Sequence, residues 1–195
     1  MMTAHSVHAI WLTGLSGACK TTLACALHAA LVARGRSACV LDGDALRCGL
    51  CQDLGFSEAD RAENVRRVGE VARLLVDAGV TAIVALISPR RADRDRVRGL
   101  FTAGQFVEVF VAAPLSICEA RDVKGLYARA RRGELAEFTG ISAPYEPPLA
   151  PEIRLCTDAV GVEACVDLVL AHVAGTTGAV GARAGIAGTR AGRYE

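Results

Sequence analysis

The sequence predicts an α/β domain of three layers, in which helices cover both faces of a mainly parallel, five-stranded sheet. Short apolar runs of strand length alternate along the chain with amphipathic segments of helix length, which is the pattern of repeated strand–helix–strand units. The first apolar run, 9–12, is followed by a glycine-rich turn and then by a helix-like segment, 21–34. Strand, glycine-rich turn and helix in this order are typical of a phosphate-binding loop.

The composition excludes several classes of protein. The chain has 195 residues and a formal net charge of +1, so it has no charge excess that would attract nucleic acid or an anionic membrane. No apolar run approaches the ~20 residues that span a bilayer, and residues 1–5 lack the basic and apolar regions of a signal peptide. We therefore expect a cytoplasmic protein with a small-molecule partner and with neither nucleic-acid nor membrane partners.

The glycine-rich turn contains nearly all the residues that a phosphate-binding loop requires. Backbone N–H groups of such a loop, together with the positive end of the following helix, bind phosphate oxygens. Lys20 is expected to reach the outer phosphates, and the Thr21 hydroxyl to contact Mg²⁺, partly through water. The predicted fold is thus P-loop NTPase-like, with ATP and Mg²⁺ as cofactors. The expected ATP-binding residues are Gly14, Leu15, Ser16, Gly17, Ala18, Cys19, Lys20, Thr21 and Thr22.

One position departs from the motif G-x-x-x-x-G-K-[ST], because Cys19 stands where the motif has its second glycine. A Cβ atom there is expected to crowd the phosphate or to strain a backbone conformation that suits glycine. Because cysteine is small, we expect weakened ATP binding rather than none. An accidental glycine-rich turn is the alternative interpretation, but the flanking strand and helix favour the phosphate loop.

Two acidic residues follow the second predicted strand, 37–41. Asp42 and Asp44 directly follow its carboxyl end. Ligands of doubly wound sheets bind at the edge where the carboxyl ends of the strands lie. An ordinary Asp-Gly turn is the alternative interpretation. The phosphate loop favours a functional role, with both carboxylates close to the phosphates.

A long helix is predicted from the capping-box-like residues 57–60 to about Ala78, where Gly79 ends it. Arg61 and Asn64 continue the apolar stripe of this helix toward its first turn. Polar residues at the head of a core-facing stripe usually line a pocket or join a buried network. Fraying of the helix end into solvent is the alternative.

Two further strands, 81–87 and 106–113, flank a charged helix, 90–101. The arginines of that helix are expected to form a solvated face. Pro89 ends the first of these strands, so Ser88 also lies at the carboxyl edge of the sheet. A short helix is predicted after the second strand.

The character of the chain changes at residues 122–148, a basic segment that ends in several prolines. A segment of this length in a compact domain is expected to be a lid or binding loop, which a phosphoryl-transfer enzyme needs to exclude water. A fifth strand, 153–156, and a last helix, 162–173, complete the domain, which extends over residues 1–174. Residues 175–195 are rich in Gly, Ala and Arg, and we expect a disordered tail.

The eight cysteines are expected to be reduced rather than paired in disulfides. Four of them lie in apolar periodic segments and are expected to act as small hydrophobic residues. A lone C-x-x-C motif, Cys48 and Cys51, has no second pair and no nearby histidine, so packing or exposure is favoured over a zinc or redox site. The four cysteines of the apolar segments are Cys25, Cys39, Cys118 and Cys165.

Seven short motifs are distributed over about residues 8–174. They are Gly-Leu-Ser-Gly-x-x-Lys-Thr-Thr (14–22), Leu-Asp-Gly-Asp (41–44), Asp-Leu-Gly-Phe-Ser (53–57), Asp-Arg-x-Glu-Asn-Val-Arg-Arg (60–67), Ile-Ser-Pro (87–89), Arg-Asp-Val-Lys-Gly-Leu-Tyr (121–127) and Phe-Thr-Gly-Ile-Ser-Ala-Pro-Tyr-Glu (138–146). In these motifs the chain resembles adenylyl-sulfate kinases. The resemblance is far more specific than a phosphate loop alone, because the substrate-side motifs of that family match too.

The resemblance implies ATP-dependent phosphorylation of the 3′-hydroxyl of adenosine 5′-phosphosulfate, which gives 3′-phosphoadenosine 5′-phosphosulfate in sulfate assimilation. Arginines of the matching positions would hold the phosphosulfate, and aromatic rings would enclose the adenine. The implied substrate-binding residues are Asp42, Asp44, Arg47, Phe56, Arg61, Asn64, Ile87, Ser88, Lys124 and Phe138.

The resemblance also implies individual roles. Phe56 and Phe138 would enclose the adenine, Asp44 would lie beside the 3′-hydroxyl, and Asp42 would help to organise the Mg²⁺ shell. Ser88 matches a serine described in the family as a phosphoserine intermediate, although direct in-line transfer needs no covalent intermediate. The implied catalytic residues are Ser88, Asp44 and Lys20.

Two other functions are kept as alternatives. The first is a regulatory or adenylyl-sulfate-binding paralogue in which Cys19 has impaired the use of ATP and which works as a partner of a sulfate adenylyltransferase. The second is a small-molecule kinase with a different acceptor, which the complete set of acceptor-side residues disfavours. The resemblance further implies a homodimer.

Overall fold

The structure, a computed structural model, describes residues 7–175 and has one five-stranded sheet in the order β2-β3-β1-β4-β5. Every neighbouring pair in this sheet is parallel. The central strand, β1, runs through the middle of the domain, and all five of its residues are buried. The strands are β1 Ala9–Thr13, β2 Ala38–Asp42, β3 Thr81–Ala85, β4 Phe106–Ala112 and β5 Ile153–Cys156.

Helices cover both faces of the sheet, which confirms the predicted three-layer α/β/α fold. One apolar cluster joins α1 and α7 to the sheet, and a second cluster joins α3 and α4 to the opposite face. The helices are α1 Lys20–Ala33, α2 Gly43–Arg47, α3 Glu58–Asp77, α4 Arg91–Arg98, α5 Leu115–Arg121, α6 Leu126–Arg131 and α7 Val162–Val173.

The side chains of β1 divide the core into its two halves. Ile10 and Leu12 belong to the cluster with α1 and α7, whereas Ala9 and Trp11 belong to the cluster with α3 and α4. Successive side chains of a strand point to opposite faces, and both faces are covered here. This explains why the strand is a continuous apolar run rather than an alternating one.

Parallel pairing brings the carboxyl ends of the strands to one edge of the sheet. The glycine-rich loop follows β1, Asp42 ends β2, and Ser88 follows β3 by three residues. These three chain segments are therefore neighbours, although they are far apart in the sequence. The candidate site lies at this edge, where ligands of open α/β sheets bind.

The structure corrects the predicted solvated face of α4. Arg94 is only 1% exposed, and Asp93 is also buried. The periodicity of the helix did not predict this, because a buried arginine needs ionic partners on other elements. The strand predicted at 81–87 ends at Ala85, and the helix predicted at 90–101 ends at Arg98.

The segment 122–148 contains the short helix α6 within a series of turns, and its role as a lid stays a prediction. The disordered tail predicted for 175–195 lies, apart from Gly175, outside the described residues. In the part of the chain that the structure describes, no helix is both long enough and apolar enough to cross a membrane.

All eight cysteines lie within the described residues and are free thiols. Cys118 and Cys165 are buried, as predicted, but Cys25 is exposed because its position on α1 faces away from the sheet. In the C-x-x-C motif, Cys48 is exposed and Cys51 is buried. Residues 7–175 contain no group of three or more His, Cys, Asp or Glu side chains that could hold a metal ion.

The two-sided core predicts a large difference between two leucines in helices. Leu27 of α1 is fully buried, whereas Leu74 of α3 is 68% exposed. Leu27→Ala should lower the free energy of unfolding by about 2–5 kcal/mol, because it removes packed atoms and leaves a cavity. The control, Leu74→Ala, should change it by less than about 0.5 kcal/mol. Urea denaturation measures both values, and equal losses would contradict the described position of α1.

Candidate active site

The glycine-rich loop passes so close to its neighbours that two of its glycines leave no space for a side chain. A Cβ atom on Gly14 would lie 2.5 Å from the carbonyl oxygen of Val111, and one on Gly17 would lie 2.9 Å from that of Cys118. Both glycines also have positive φ angles, of 151° and 74°, which other residues rarely adopt. The loop is therefore packed between β4 and α5 in a conformation that requires glycine at these positions.

Cys19 adopts the left-handed conformation that the motif reserves for glycine. Its φ and ψ angles are 71° and 24°, and it directly precedes α1. This conformation costs a residue with a Cβ atom about 1–2 kcal/mol, so the backbone strain expected from the sequence is present. The Sγ atom lies 3.4 Å from Nη1 of Arg121, which also donates to the Gly17 carbonyl oxygen at 3.3 Å.

Lys20 is buried under the loop, where its ammonium donates to two carbonyl oxygens. Nζ lies 2.9 Å from the oxygen of Gly14 and 2.7 Å from that of Leu15. Burial lowers the pKa of Lys20 from 10.5 to about 8, although the nearby carboxylates of Asp42 and Asp44 act in the opposite direction. Within the described residues the cation is thus held by dipoles and has no directly bonded anion, a state that favours binding of an anionic ligand.

Thr21 and Asp42 form the oxygen pair that a magnesium site needs. The Thr21 hydroxyl donates to Oδ2 of Asp42 at 2.7 Å, and Oδ1 of Asp42 accepts the backbone N–H of Asp44 at 3.0 Å. Mg²⁺ usually binds one or two protein oxygens and completes its shell with water and substrate phosphates. The residues present therefore fit the predicted ion.

Asp44 and Lys124 form an ion pair between the end of β2 and the segment 122–148. Both side chains remain more than half exposed, so the pair is accessible from solvent. Lys20 directly precedes Thr21, which bonds to Asp42, and Asp42 in turn accepts the backbone N–H of Asp44, so the charges of Lys20, Asp44 and Lys124 lie in one region. The structure thus brings together two predicted catalytic residues and one predicted substrate-binding residue.

On the acceptor side, two arginines lie against the exposed ring of Phe56. The guanidinium of Arg47 is 4.2 Å from the ring centroid and that of Arg61 is 5.5 Å away. Arg61 also donates to the carbonyl oxygens of Phe56 and Glu137, each at 2.8 Å. Arg61 therefore links the start of α3 to the residue that precedes Phe138.

Asn64 and Thr139 are buried polar residues with unused hydrogen-bonding atoms. Within the described residues, neither Oδ1 of Asn64 nor Oγ1 of Thr139 has a hydrogen-bond partner. Leaving such an atom buried and unpaired costs about 1–3 kcal/mol, so a bound molecule or water is expected to supply the partner. Thr139 lines a shallow cavity of about 160 Å³ together with Arg61 and Glu137.

Phe138 is connected to the phosphate loop through Tyr127 of α6. The two rings meet edge to face with their centroids 5.1 Å apart, a favourable aromatic arrangement. The Tyr127 hydroxyl donates to the carbonyl oxygen of Ser16 at 2.9 Å. The segment 122–148 therefore contacts both the loop and the acceptor side, while the predicted enclosure of a ring by Phe56 and Phe138 stays a prediction.

Ser88 lies at the predicted edge, but its hydroxyl has no basic partner among the described residues. Oγ accepts a hydrogen bond from Nε1 of Trp11 at 3.0 Å, and the residue is buried with a φ angle of 40°. The neighbouring Ile87 carbonyl oxygen accepts from Thr13 at 2.7 Å. An activated nucleophile needs an adjacent base. Ser88 therefore has the predicted position at the edge of the sheet, and its catalytic role stays a prediction.

Two residues around the loop were missed as site residues from the sequence. Arg121 donates to the Thr157 carbonyl oxygen at 2.7 Å. The Thr157 hydroxyl donates to the carbonyl oxygen of Ala18 at 3.3 Å. Arg121 belongs to one of the recognised motifs, so a signal for it was present. Thr157 follows β5 at the carboxyl edge of the sheet, and only that position indicated it.

The conformation of Cys19 predicts that replacement by glycine stabilises the protein. Cys19→Gly removes the left-handed strain but adds freedom to the unfolded chain, so the free energy of unfolding should rise by about 0.5–1 kcal/mol. Cys25→Gly is the matched control, because Cys25 is exposed within α1, and it should lower this energy by about 0.5–1 kcal/mol. Urea denaturation gives both values, and destabilisation by Cys19→Gly would contradict the strain.

Comparisons with known proteins identify the family of this chain. Residues 6–156 match the family model described as adenylylsulphate kinase. The adenylyl-sulfate kinase of Shewanella denitrificans is 58% identical over 164 residues, which cover 84% of this chain and 80% of that protein.

Solved structures give the same result. The structure of the Mycobacterium tuberculosis APS kinase CysC in complex with AMPPNP and APS superposes with a TM-score of 0.83 at 45% identity, covering 86% of this chain and 98% of that one. The hexameric APS kinase from Thiobacillus denitrificans has a TM-score of 0.65 at 34% identity, and the match covers 87% of this chain and 29% of that one. Sequence, fold and site geometry therefore agree that the chain belongs to the adenylyl-sulfate kinase family.

Proposed function

We propose that this protein transfers the γ-phosphoryl group of ATP to the 3′-hydroxyl of adenosine 5′-phosphosulfate, giving ADP and 3′-phosphoadenosine 5′-phosphosulfate for sulfate assimilation. The observation that carries the proposal is the junction at the end of β2. There Asp42 bonds to Thr21 of the phosphate loop, and Asp44, two residues on, pairs with Lys124 of the segment 122–148. Residues proposed to bind the phosphoryl donor and residues proposed to bind the acceptor are therefore adjacent at this junction.

The donor side binds the triphosphate of ATP. The loop supplies backbone N–H groups, and the buried ammonium of Lys20 exchanges its two carbonyl partners for phosphate oxygens. Thr21 and Asp42 would hold Mg²⁺ at the loop, directly or through water, and the bound ion would neutralise charge that develops on the phosphates. These residues position the triphosphate and exclude water from it.

The acceptor side has charges and rings that suit an adenosine 5′-phosphosulfate anion. The guanidinium groups of Arg47 and Arg61 are cationic donors of the kind that such anions require, and each has N–H groups beyond those that bond backbone carbonyl oxygens. Phe56 is 58% exposed, so its ring is available to stack on a purine. We further propose that Phe138 covers the other face of the purine and that Asn64, with its unpaired oxygen, hydrogen-bonds the acceptor.

Transfer requires that the 3′-oxygen form a bond to the γ-phosphorus while the bond from that phosphorus to the bridging oxygen of ATP breaks. Asp44 receives or orients the hydroxyl proton, which is finally released to solvent. In the structure Lys124 neutralises Asp44. Binding of the acceptor anion offers Lys124 a new partner, and this frees the carboxylate for the proton.

We propose direct transfer without a phosphoserine intermediate. Ser88 is buried, and its hydroxyl accepts from the Trp11 indole, which is a donor and not a base. A phosphoryl group on Oγ would have to displace this indole contact within the core. Ser88 therefore contributes to the shape of the acceptor site rather than to a covalent step.

Assembly and location are further proposals. We propose an oligomer, because a relative of the same fold is described as hexameric, and we propose that it is a homodimer, because the resemblance implies one. We also propose association with a sulfate adenylyltransferase, because that class of enzyme makes the acceptor. A cytoplasmic location is consistent with the charge and composition of the chain.

A coupled assay with ATP, Mg²⁺ and adenosine 5′-phosphosulfate tests the proposed function. The wild type should form the product. Cys19→Gly should have a lower KM for ATP, because the loop is no longer strained. Phe56→Ala should have a KM for the acceptor that is higher by about tenfold, because a stacking ring is lost. Ser88→Ala should remain active, and no phosphoserine should accumulate during turnover.

The same assay separates the alternative functions. Turnover by Cys19→Gly with an inactive wild type would support the regulatory paralogue. Inactivity of both proteins, when both are folded, would contradict the kinase.

The lowered pKa of Lys20 predicts that ATP binding is coupled to proton uptake. At pH 8, which is close to this pKa, part of the Lys20 side chains are neutral in the free protein, and phosphate binding favours the charged form, so a fraction of a proton should be taken up per ATP. Calorimetry with ATP and Mg²⁺ in buffers of different ionisation enthalpy measures this uptake. Lys20→Arg is the control, because arginine keeps its proton. Identical heats in all buffers would contradict the lowered pKa.

The same pKa gives the sign of a stability effect in the free protein. Since the folded pKa lies below the ordinary value of 10.5, the folded state releases the proton first. The contribution of Lys20 to stability therefore rises as the pH increases from about 8 to about 10.5.

A further inference from the structure

The turn formed by residues 87–89 is held at each of its polar side-chain and carbonyl atoms. The carbonyl oxygen of Ile87 accepts from Thr13 at 2.7 Å, and Oγ of Ser88 accepts from Trp11 at 3.0 Å. The carbonyl oxygen of Pro89 accepts the backbone N–H of Glu146 at 2.8 Å. The turn directly follows β3 at the edge of the sheet where the proposed acceptor binds.

The remaining carbonyl oxygen, that of Ser88, is bound by Arg94 of α4. Nη1 of Arg94 donates to it at 2.6 Å, Nη2 donates to the Glu146 carbonyl oxygen at 2.7 Å, and Nε donates to the carboxylate of Glu108 at 2.7 Å. Arg94 is 1% exposed, so its charge is fully desolvated and depends on these partners. One guanidinium thus joins the turn, the end of the segment 122–148 and β4.

The end of the segment 122–148 is attached to the same turn by further contacts. The Arg94 guanidinium carbon lies 5.9 Å from the centroid of the Tyr145 ring, and the Tyr145 hydroxyl is 3.0 Å from that of Thr13. The backbone N–H of Arg91 donates to Oε2 of Glu146 at 2.8 Å. Residues 145–146 therefore cannot shift without disturbing the turn.

Ser88 needs such support because its φ angle of 40° is unfavourable for a residue with a side chain. Conformations of this kind persist only where the surrounding structure determines them from several directions. If the carbonyl oxygen of Ser88 lost its partner, the backbone at Ile87 and Ser88 would relax toward a negative φ angle. These are two of the residues predicted to contact the acceptor.

We propose that Arg94 is a positioning residue of the acceptor site, which holds the strained Ser88 turn and residues 145–146 together as one rigid unit. The inference rests on the proposed function, since it concerns the acceptor of that reaction. Arg94 touches neither substrate in this mechanism. It acts through the backbone of the turn, and in residues 7–175 its hydrogen bonds go to the turn, to Glu146 and to Glu108, with none to the glycine-rich loop, α1 or the end of β2.

The test compares Arg94→Lys with Arg98→Lys. Lysine keeps the positive charge beside Glu108 but cannot bond three acceptors with one planar fork. Arg98 is the matched control, because it also pairs with Glu108, at 3.1 Å, and with Glu152, but within residues 7–175 it has no hydrogen bond to the turn. Arg94→Lys should raise the KM for adenosine 5′-phosphosulfate about tenfold or more with a KM for ATP within about twofold of the wild type. Arg98→Lys should leave both values within about twofold.

The split between the two KM values separates positioning from general stabilisation. Equal increases in both KM values, or no change in either, would overturn the inference. No turnover by the wild type would instead count against the proposed function and leave the exchange experiment below to decide the inference.

Amide hydrogen exchange of the wild type provides a second measurement that needs no variant. The backbone N–H of Glu146 bonds to Pro89, and that of Arg91 bonds to the Glu146 side chain. If one rigid unit includes these residues, both amides should exchange with the same opening free energy. Free exchange of the Glu146 amide while that of Arg91 stays protected would overturn the inference, including the case in which Arg94→Lys fails to fold.

Discussion

The parallel alignment of the five strands is the constraint on which the rest of the structure depends. Because every neighbouring pair is parallel, the loop after β1, the acidic turn after β2 and the Ser88 turn after β3 meet at one edge. Each segment is held by a core that covers both faces of the sheet. The chemistry of the site therefore rests on rigid strand ends, and short loops suffice to present it.

Backbone strain in the described part of the chain is concentrated at this edge. Cys19, Ser88 and Glu137 are the non-glycine residues with positive φ angles in residues 7–175, and each borders a different part of the site. Strained conformations of this kind cost about 1–3 kcal/mol each and are maintained by surrounding contacts. At Ser88 the contacts are a network of hydrogen bonds, whereas at Cys19 they are the packed loop and the helix that follows.

Lys20 and Arg94 are both buried cations, but their partners differ and so do their roles. Lys20 is held by carbonyl oxygens, its pKa is lowered to about 8, and a bound phosphate would complete its environment. Arg94 has a carboxylate and two carbonyl oxygens as partners and is already satisfied. The first cation is therefore ready to bind an anion, while the second is structural and stabilises the shape of the site.

The sequence by itself determined the fold class, the order of the five strands and of the longer helices, and the glycine-rich loop after β1, because apolar periodicity, glycine spacing and short motifs are local properties of the chain. It also indicated Asp42, Arg61 and Asn64 from their positions on elements. Only the tertiary structure decided that Arg94 is buried, that Arg61 bridges to Glu137, and that Cys25 is exposed. Burial of a charge depends on partners distant in sequence, such as Glu108 and Glu146, and no local pattern encodes their convergence.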